Sequence, residues 1–352
     1  MDFVMKNTYN DNCILQKNTI CSNLDLVQKC IDILINNGTC QESLKIVNFG
    51  CAHGRSSQPT LTTMISKYLK KHPHNEIMVY QNDLPTNNFS LLLSEIQGNP
   101  QSYIYLSPNV YTMCIGQSFY QQTLPNNTVH IAMGFNCFHW GTPSKILPEG
   151  SITMAHKRSK FPKYIKECQN DLLSNVLNRS KELANGGIFI MNLLTDDKES
   201  FKDTLDFYVA VKLIWIKMYE ECIISKEEAE EMALPWRYYS LGDIKHILKD
   251  QKIKNSGMKL KSYEFRQNRC PYEPLIQSHG LEYFAEKFVS AFHAFSEPTF
   301  KSILKCDDAK KEQIWEIYNQ HLYNLCLKNP SICRIPNNYY ITIFEKIEIN
   351  IE

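Results

Sequence analysis

A glycine-containing turn and an acidic residue occupy positions at which a nucleotide-like cofactor can bind. The turn, Gly50-Cys51-Ala52-His53-Gly54, follows a β-prone run over residues 44–49 and precedes a helical pattern over residues 61–69. Asp83 follows the next β-prone run, residues 77–80. Glycines after a first strand let the backbone approach a ligand closely, and an acid at the tip of the second strand can hold a ribose diol. We therefore predict a nucleoside-bearing cofactor at this βαβ unit.

Polar and aromatic residues also follow the other predicted strands. Runs over residues 110–115 and 129–134 predict a third and a fourth strand. The carboxyl ends of parallel strands meet at one edge of a sheet, and the ligands of such sheets bind there. The residues at or just after strand ends are Asn48, Asp83, Ser118 and Trp140. We expect one site to contain them.

The alternation of strands and helices predicts the architecture that positions this site. A long helix over residues 163–183, ended by Asn185-Gly186-Gly187, precedes a fifth strand over residues 188–194. Such alternation is typical of an α/β fold with a mostly parallel sheet. Residues 201–333 are mainly helical but include a β-prone run over residues 259–265, and a terminal run over residues 339–349 would complete the sheet. The helical block is then a cap over the ligand edge.

Composition excludes several classes of function. Lys and Arg total 38 against 37 Asp and Glu, so the basic excess typical of nucleic-acid binding is missing. No apolar run approaches the roughly 20 residues of a membrane span, and the first residues lack a secretory pattern. The 13 cysteines contain no C-x-x-C pair and predict reduced thiols. We expect a cytoplasmic protein without nucleic-acid or membrane partners.

Motifs in one order along almost the whole chain resemble those of the SABATH methyltransferases, which methylate salicylic, benzoic and jasmonic acids and caffeine-type purines. The family's S-Y-x-x-N-S-x-x-Q, D-L-G-C-S-S-G and N-D-L-P-x-N-D-F resemble Thr8-Tyr9-x-x-Asn12-Cys13-x-x-Gln16, Asn48-Phe49-Gly50-Cys51-Ala52-His53-Gly54 and Asn82-Asp83-Leu84-Pro85-Thr86-Asn87-Asn88-Phe89. Its G-S-F-Y and S-L-H-W resemble Gly116-Gln117-Ser118-Phe119-Tyr120 and Cys137-Phe138-His139-Trp140. Its M-x-x-E-G-L-I and E-P-L-L-x-x-H resemble Met218-Tyr219-Glu220-Glu221-Cys222-Ile223-Ile224 and Glu273-Pro274-Leu275-Ile276-Gln277-Ser278-His279.

This resemblance implies a Rossmann-like class I methyltransferase sheet with an α-helical cap, S-adenosylmethionine as cofactor, and a homodimer. It assigns residues 1–196 and part of 255–352 to the cofactor-binding core with an N-terminal lid, and mainly residues 197–335 to the cap that forms the acceptor pocket. The implied cofactor residues are Tyr9, Asn48, Cys51, Ser56, Asp83, Leu84, Ser118 and Phe119. Gln16 and Trp140 would hold the acceptor, with Asn136 and His139 beside them.

The implied reaction is methyl transfer to the carboxylate of a small-molecule acid, giving a methyl ester. A carboxylic acid has a pKa of about 4, so the acceptor is ionised at pH 7 and needs no general base. The protein has to position it, and a glutamine amide and an indole N–H are neutral donors that orient an oxygen without neutralising it.

Three departures from the family pattern leave two alternatives open. Asn48 replaces an acid, Cys13 a serine and Asn136 an aromatic residue. Asn136 fits an N- or O-methyltransferase of a heterocyclic or phenolic acceptor, because an amide can pair with a heterocycle edge. Asn48 and Cys13 fit a non-catalytic S-adenosylmethionine-binding protein. The family's metal-associated D-x-F-N segment is Glu230-Glu231-Met232-Ala233 here, so we predict no metal.

Overall fold

One seven-stranded mixed sheet forms the centre of the molecule. The computed structural model describes residue 5 and residues 9–141, 154–197 and 201–348, and only the backbone of Tyr9. The strands are β1 (Ser43–Phe49), β2 (Glu76–Asp83), β3 (Val110–Gly116), β4 (Val129–Gly134), β5 (Leu183–Leu194), β6 (Met258–Asn268) and β7 (Asn337–Lys346). Their order is β3-β2-β1-β4-β5-β7-β6.

The register of the sheet aligns the carboxyl ends of the first four strands. β1 to β5 pair in parallel, and β7 lies antiparallel between β5 and β6. Phe49 at the end of β1 is opposite both Asn82 and Gly134, and Asp83 is opposite Gly116. The predicted α/β sheet is therefore confirmed, and its carboxyl edge gathers the residues that follow these strands.

Helices cover the sheet and its carboxyl edge. Those of the first half are α1 (Tyr9–Asn12), α2 (Ile14–Cys21), α3 (Leu24–Asn36), α4 (Gln58–Leu69), α5 (Phe89–Gly98) and α6 (Pro162–Glu182). Those of the second half are α7 (Phe201–Glu220), α8 (Lys226–Glu231), α9 (Leu241–Ile247), α10 (Gln251–Lys254), α11 (Leu275–His279), α12 (Leu281–Ile303) and α13 (Asp308–Lys328). In this second group, Trp215 of α7 stacks on Tyr318 of α13 with ring centroids 4.2 Å apart. Aromatic packing thus joins the helices of the cap.

The prediction that Asn185-Gly186-Gly187 ends the long helix is wrong. α6 ends at Glu182 and β5 begins directly at Leu183, so the glycines lie inside the strand. The pairing of β4 with β5 shifts here, from Val129 opposite Leu183 to Ile131 opposite Ile188. Gly186 has φ +77, and a Cβ there would be 2.1 Å from the Thr39 hydroxyl oxygen. The glycine thus serves an irregular strand start rather than a helix end.

The N-terminal helices lie across the turn that follows β1. Asn10 donates to the carbonyl of His53, and Arg55 pairs with Asp11 and Glu95. The Tyr272 hydroxyl donates to the carbonyl of Asn12. Among the described residues, no helix combines the length and the apolar character needed to cross a bilayer.

Candidate active site

Asp83 lies at the tip of β2, and its carboxylate organises the two neighbouring turns. It accepts hydrogen bonds from the backbone N–H groups of Ala52 (2.7 Å) and Leu84 (2.8 Å). Burial raises the pKa of Asp83, and these two hydrogen bonds act in the opposite direction. No Lys or Arg of the described residues contributes to this pKa. The carboxylate therefore keeps lone pairs for hydroxyl donors, which fits the ribose of a nucleoside cofactor.

The glycine turn beside Asp83 is shaped by packing against protein. A Cβ on Gly50 would lie 2.2 Å from the Cys137 Cβ, and one on Gly54 would lie 2.5 Å from a Leu92 methyl group. Both glycines have positive φ angles, +62 and +87. Cys51 between them is buried, and its N–H donates to the carbonyl of Asn82. The space that a side chain would need at both glycines is therefore filled by the segment after β4 and by α5.

The segment after β3 connects Asp83 to the residues after β4. The N–H of Gln117 donates to the Asp83 carbonyl at 2.9 Å, and the Tyr120 hydroxyl donates to the Trp140 carbonyl at 2.7 Å. Ser118 and Phe119 lie between these two contacts, and the Phe119 ring meets Phe138 edge-on at 5.0 Å. Asp83, Ser118 and Phe119 thus lie on one continuous edge with Trp140.

Arg179, which sequence reasoning missed, holds this segment in place. Its guanidinium donates to the carbonyls of Phe119 and Gln121, and it also pairs with Glu182. Both side chains of the ion pair are fully buried. No sequence signal marks this role, because the carbonyls of Phe119 and Gln121 lie far from Arg179 along the chain.

Three further residues are predicted to bind the cofactor, namely Tyr9, Asn48 and Ser56. The Asn48 amide nitrogen donates to the Gln81 side chain at 2.8 Å inside the sheet. The Ser56 hydroxyl donates to the Cys13 sulfur at 3.1 Å, which joins the β1 turn to the N-terminal segment. The side chain of Tyr9 lies outside the described residues. The roles of these residues stay predictions.

The predicted acceptor residues surround one cavity of about 660 Å³, including its open mouth. Gln16, Asn136, His139 and Trp140 all line it, although Gln16 lies far from the others in the chain. The other described lining residues are Met5, Leu15, Leu194, Thr195, Phe201, Thr204, Trp236, Tyr238, Phe295, Ile335, Pro336, Asn337 and Asn338. None of the residues in this lining is acidic, lysine or arginine.

Asn136 anchors Gln16 rather than presenting a free amide. Its Nδ2 donates to the Gln16 carbonyl at 3.2 Å, and its Oδ1 accepts from Asn192 and Asn337. Asn337 also donates to Thr19 of α2 at 2.6 Å. The polar atoms of Asn136 are thus engaged by protein groups from α2, β5 and β7, and this network fixes the helix that carries Gln16.

His139 is a neutral part of the aromatic wall. Its ring centroid lies 5.8 Å from that of Trp140 and 5.2 Å from that of Trp236. Burial lowers the pKa of His139 to about 3. The imidazole therefore carries no charge at neutral pH.

Trp236 and Tyr238 were not predicted from the sequence. Trp236 forms an isolated antiparallel bridge with Trp140, supported by the hydrogen bond from the Arg237 N–H to the His139 carbonyl at 2.7 Å. The two indoles meet edge-on at 5.8 Å. The aromatic run Trp236-Arg237-Tyr238-Tyr239 was the available signal, but it lies in a segment without regular structure.

Buried polar atoms without hydrogen-bond partners mark the same cavity. Among the described residues, they include Gln16 Oε1, Trp236 Nε1 and the Tyr238 hydroxyl. Rotating the Gln16 amide by half a turn exchanges its donor and acceptor, so it can offer either to a ligand. A polar, uncharged site therefore adjoins the edge that carries Asp83.

Comparison with known proteins agrees with this geometry. The family described as SAM dependent carboxyl methyltransferase matches residues 4–334. Anthranilate O-methyltransferase 2 of Zea mays is 22% identical over 74% of this chain and 76% of its own length. Benzoic acid/salicylic acid carboxyl methyltransferase 2 of Petunia hybrida is 24% identical over 82% of this chain and 89% of its own length.

A solved structure shares the fold. Loganic acid methyltransferase with SAH superposes with a TM-score of 0.72, covering 98% of this chain and 99% of that chain at 17% identity. The Rossmann-like class I methyltransferase architecture expected from the sequence is thereby confirmed. Because the family match spans nearly all of the described residues, the chain belongs to the SABATH family of S-adenosylmethionine-dependent carboxyl methyltransferases.

Proposed function

We propose that this protein transfers a methyl group from S-adenosylmethionine to the carboxylate of a small-molecule acid, giving a methyl ester. The observation that carries the proposal is the cavity that gathers Gln16, His139 and Trp140 without a charged side chain in its described lining. A lysine or arginine there would neutralise the attacking oxygen, and neutral donors orient it instead.

The side chains of this protein position the cofactor and the acceptor and do not transfer protons. S-adenosylmethionine supplies an electrophilic methyl group on a sulfonium sulfur. Asp83 binds the ribose hydroxyls of this cofactor, and Gln16 and Trp140 direct one carboxylate oxygen toward the methyl group. His139 is neutral and closes the aromatic wall, so no general base takes part.

The remaining cofactor contacts are part of the same proposal. Tyr9, Asn48, Cys51, Ser56, Leu84, Ser118 and Phe119 line the cofactor pocket beside Asp83. The hydrogen bonds from Cys51 to Asn82 and from Gln117 to Asp83 support this, because they hold both turns against the tip of β2.

The cap and the core both contribute residues to the acceptor pocket. We assign residues 1–196 and part of 255–352 to the cofactor-binding core and mainly residues 197–335 to the cap. Five lining residues support this division: Phe201, Thr204, Trp236, Tyr238 and Phe295.

The structure gives little support to the two alternative functions, a methyltransferase of heterocyclic or phenolic acceptors and a non-catalytic S-adenosylmethionine-binding protein. The first alternative depends on a free amide at Asn136 to pair with a heterocycle. That amide instead forms hydrogen bonds with Gln16, Asn192 and Asn337. The second alternative depends on the replacements at Asn48 and Cys13. However, Gln16 and Trp140, which would position the acceptor, both line the cavity.

The function is tested by identifying the methylated product. The purified protein is incubated with S-adenosylmethionine deuterated in its methyl group and with a panel of small acids and cell extract, and products are analysed by mass spectrometry. We expect a deuterated methyl ester that mild alkali hydrolyses. A deuterated product that survives alkali would favour nitrogen or hydroxyl methylation, and no product at all would favour the non-catalytic alternative.

Assembly and location are further parts of the proposal. We infer a homodimer, supported by exposed apolar residues at helical spacing on α7, namely Val209, Leu213 and Ile216. Sedimentation velocity should show a dimer that Leu213→Glu dissociates; a wild-type monomer would contradict it. A reducing location such as the cytoplasm is supported by thirteen cysteines, all of them unpaired.

A further inference from the structure

Two buried polar atoms of the cavity lining have no hydrogen-bond partner among the described residues. They are Trp236 Nε1 and the Tyr238 hydroxyl, and no described residue forms a hydrogen bond with either. Trp236 is 6% exposed and Tyr238 is 3% exposed. Native proteins satisfy nearly all such groups, and leaving one unpaired is costly. Because both residues line the acceptor cavity, a bound ligand is the partner that can satisfy them.

The protein fixes these two side chains before any ligand binds. Their ring centroids are 6.3 Å apart on one short segment. The bridge between Trp140 and Trp236 holds one end of this segment. At its other end, the Tyr238 N–H donates to the Tyr164 hydroxyl at 2.8 Å. Phe295 packs on Trp236 at 5.6 Å and Phe201 on Tyr238 at 5.0 Å. Groups held in this way bind a ligand without a large ordering cost.

The chemistry of the lining defines the ligand group. An indole N–H only donates, so the ligand must offer an acceptor, while a phenol can donate or accept. A second carboxylate or an ammonium would be buried here without a counter-charge from any described residue of the lining. A hydroxyl or carbonyl oxygen meets both requirements.

We propose that the methyl acceptor is a monocarboxylic acid with a second, uncharged oxygen, a hydroxyl or a carbonyl, which Trp236 and Tyr238 bind. This rests on the proposed function, in which Gln16 and Trp140 hold the carboxylate that is methylated. Trp236 and Tyr238 then determine specificity for this second oxygen of the substrate.

The test measures binding separately from turnover. With the protein saturated by S-adenosylhomocysteine, calorimetry gives the Kd for pairs of acids that differ by one oxygen: cinnamic and 4-hydroxycinnamic, 3-phenylpropanoic and 3-(4-hydroxyphenyl)propanoic, decanoic and 10-hydroxydecanoic acid. We expect the oxygenated acid of at least one pair to bind about tenfold more tightly. Trp236→Phe and Tyr238→Phe should each remove most of that preference.

Matched controls come from the core of the cap. Trp215 and Tyr318 also carry buried, unpartnered polar atoms in the part of the chain that the structure describes, but neither lines the cavity. Trp215→Phe and Tyr318→Phe make the same chemical changes and should keep the full preference for the oxygenated acid.

Three results would overturn the inference. They are failure of every oxygenated acid to bind, tighter binding of the parent acid in every pair, and an unchanged preference in both Trp236→Phe and Tyr238→Phe. Selective binding without formation of a methyl ester would instead contradict the proposed function, and would leave standing the binding of the second oxygen by Trp236 and Tyr238.

Discussion

The imidazole of His139 shows how burial sets the chemistry of a single side chain. It lies against two indoles at the wall of the acceptor cavity, and burial lowers its pKa to about 3. In the unfolded chain the pKa of a histidine is about 6.5. Between these two values the unfolded chain binds more protons than the folded protein, so stability rises with pH across this window.

Acidification should therefore destabilise the wild type through His139. Its contribution is fully present above pH 6.5 and is lost as the pH falls toward 3. Between pH 7 and pH 5 the loss is about 2 kcal/mol. Urea unfolding at both pH values should show that His139→Phe, which keeps a ring in place, loses correspondingly less. Burial also lowers the pKa of His130. Because His130 is present in both proteins, its contribution to the pH dependence of stability cancels in the comparison. Equal losses in the two proteins would contradict the assignment.

Asp83 is the residue on which cofactor binding depends most. Its carboxylate accepts from two backbone N–H groups and retains capacity for the ribose. Asp83→Asn keeps the shape but removes the charge and turns an N–H₂ group toward these donors. We expect S-adenosylhomocysteine to bind about 10- to 100-fold more weakly by calorimetry, because hydrogen bonds to a charged group are lost. Asp203→Asn, an exposed carboxylate on α7, should leave the Kd unchanged. A wild-type Kd in Asp83→Asn would remove Asp83 from the cofactor site.

At the scale of elements, the turn between β1 and α4 depends on glycine for packing. Gly50 has a positive φ, and any Cβ there meets Cys137 after β4. We expect Gly50→Ala to lower the free energy of unfolding by about 2–4 kcal/mol, combining backbone strain with a core clash. Urea unfolding measures this. Gly98→Ala in α5 is the control, because nothing lies within 4 Å of the added methyl group. A cost for Gly50→Ala as small as that for Gly98→Ala would refute the packing argument.

Local sequence patterns predicted most elements, because apolar runs and helical spacing reflect burial on one face. They misjudged the start of β5, where Gly186 resembles a helix end but instead shapes an irregular strand. That shape depends on contacts with Asn37 and Thr39, which are distant in sequence. Arg179 was missed for the same reason, since the segment that it holds through backbone carbonyls is remote in sequence.

Gln16 and Trp140 were predicted together only through the family resemblance. Neither residue type alone indicates an acceptor site, and the chain between them folds through four strands before they meet. Trp236 and Tyr238 could not be predicted, because a lone bridge to Trp140, not a regular element, brings their segment to the cavity.

At the scale of the whole molecule, the sheet and the cap meet at one edge. Asp83 and the segment after β3 belong to the sheet, and the Tyr120 hydroxyl joins that segment to Trp140 at the cavity. Helix α2 contributes Gln16 from the N-terminal side, and the segment with Trp236 contributes from the cap side. Cofactor and acceptor residues are thus positioned by different parts of the chain, so they should respond separately to substitution.

The most direct test of the central claim compares transfer with cofactor binding in Gln16→Met and Trp140→Phe. Both variants remove a neutral donor and keep much of the side chain's volume. We predict that kcat/KM for the acid falls about 10- to 100-fold in each, while the Kd for S-adenosylhomocysteine stays at the wild-type value. Wild-type kcat/KM in both variants, or a parallel loss of cofactor binding, would contradict the claim that two uncharged donors orient the carboxylate.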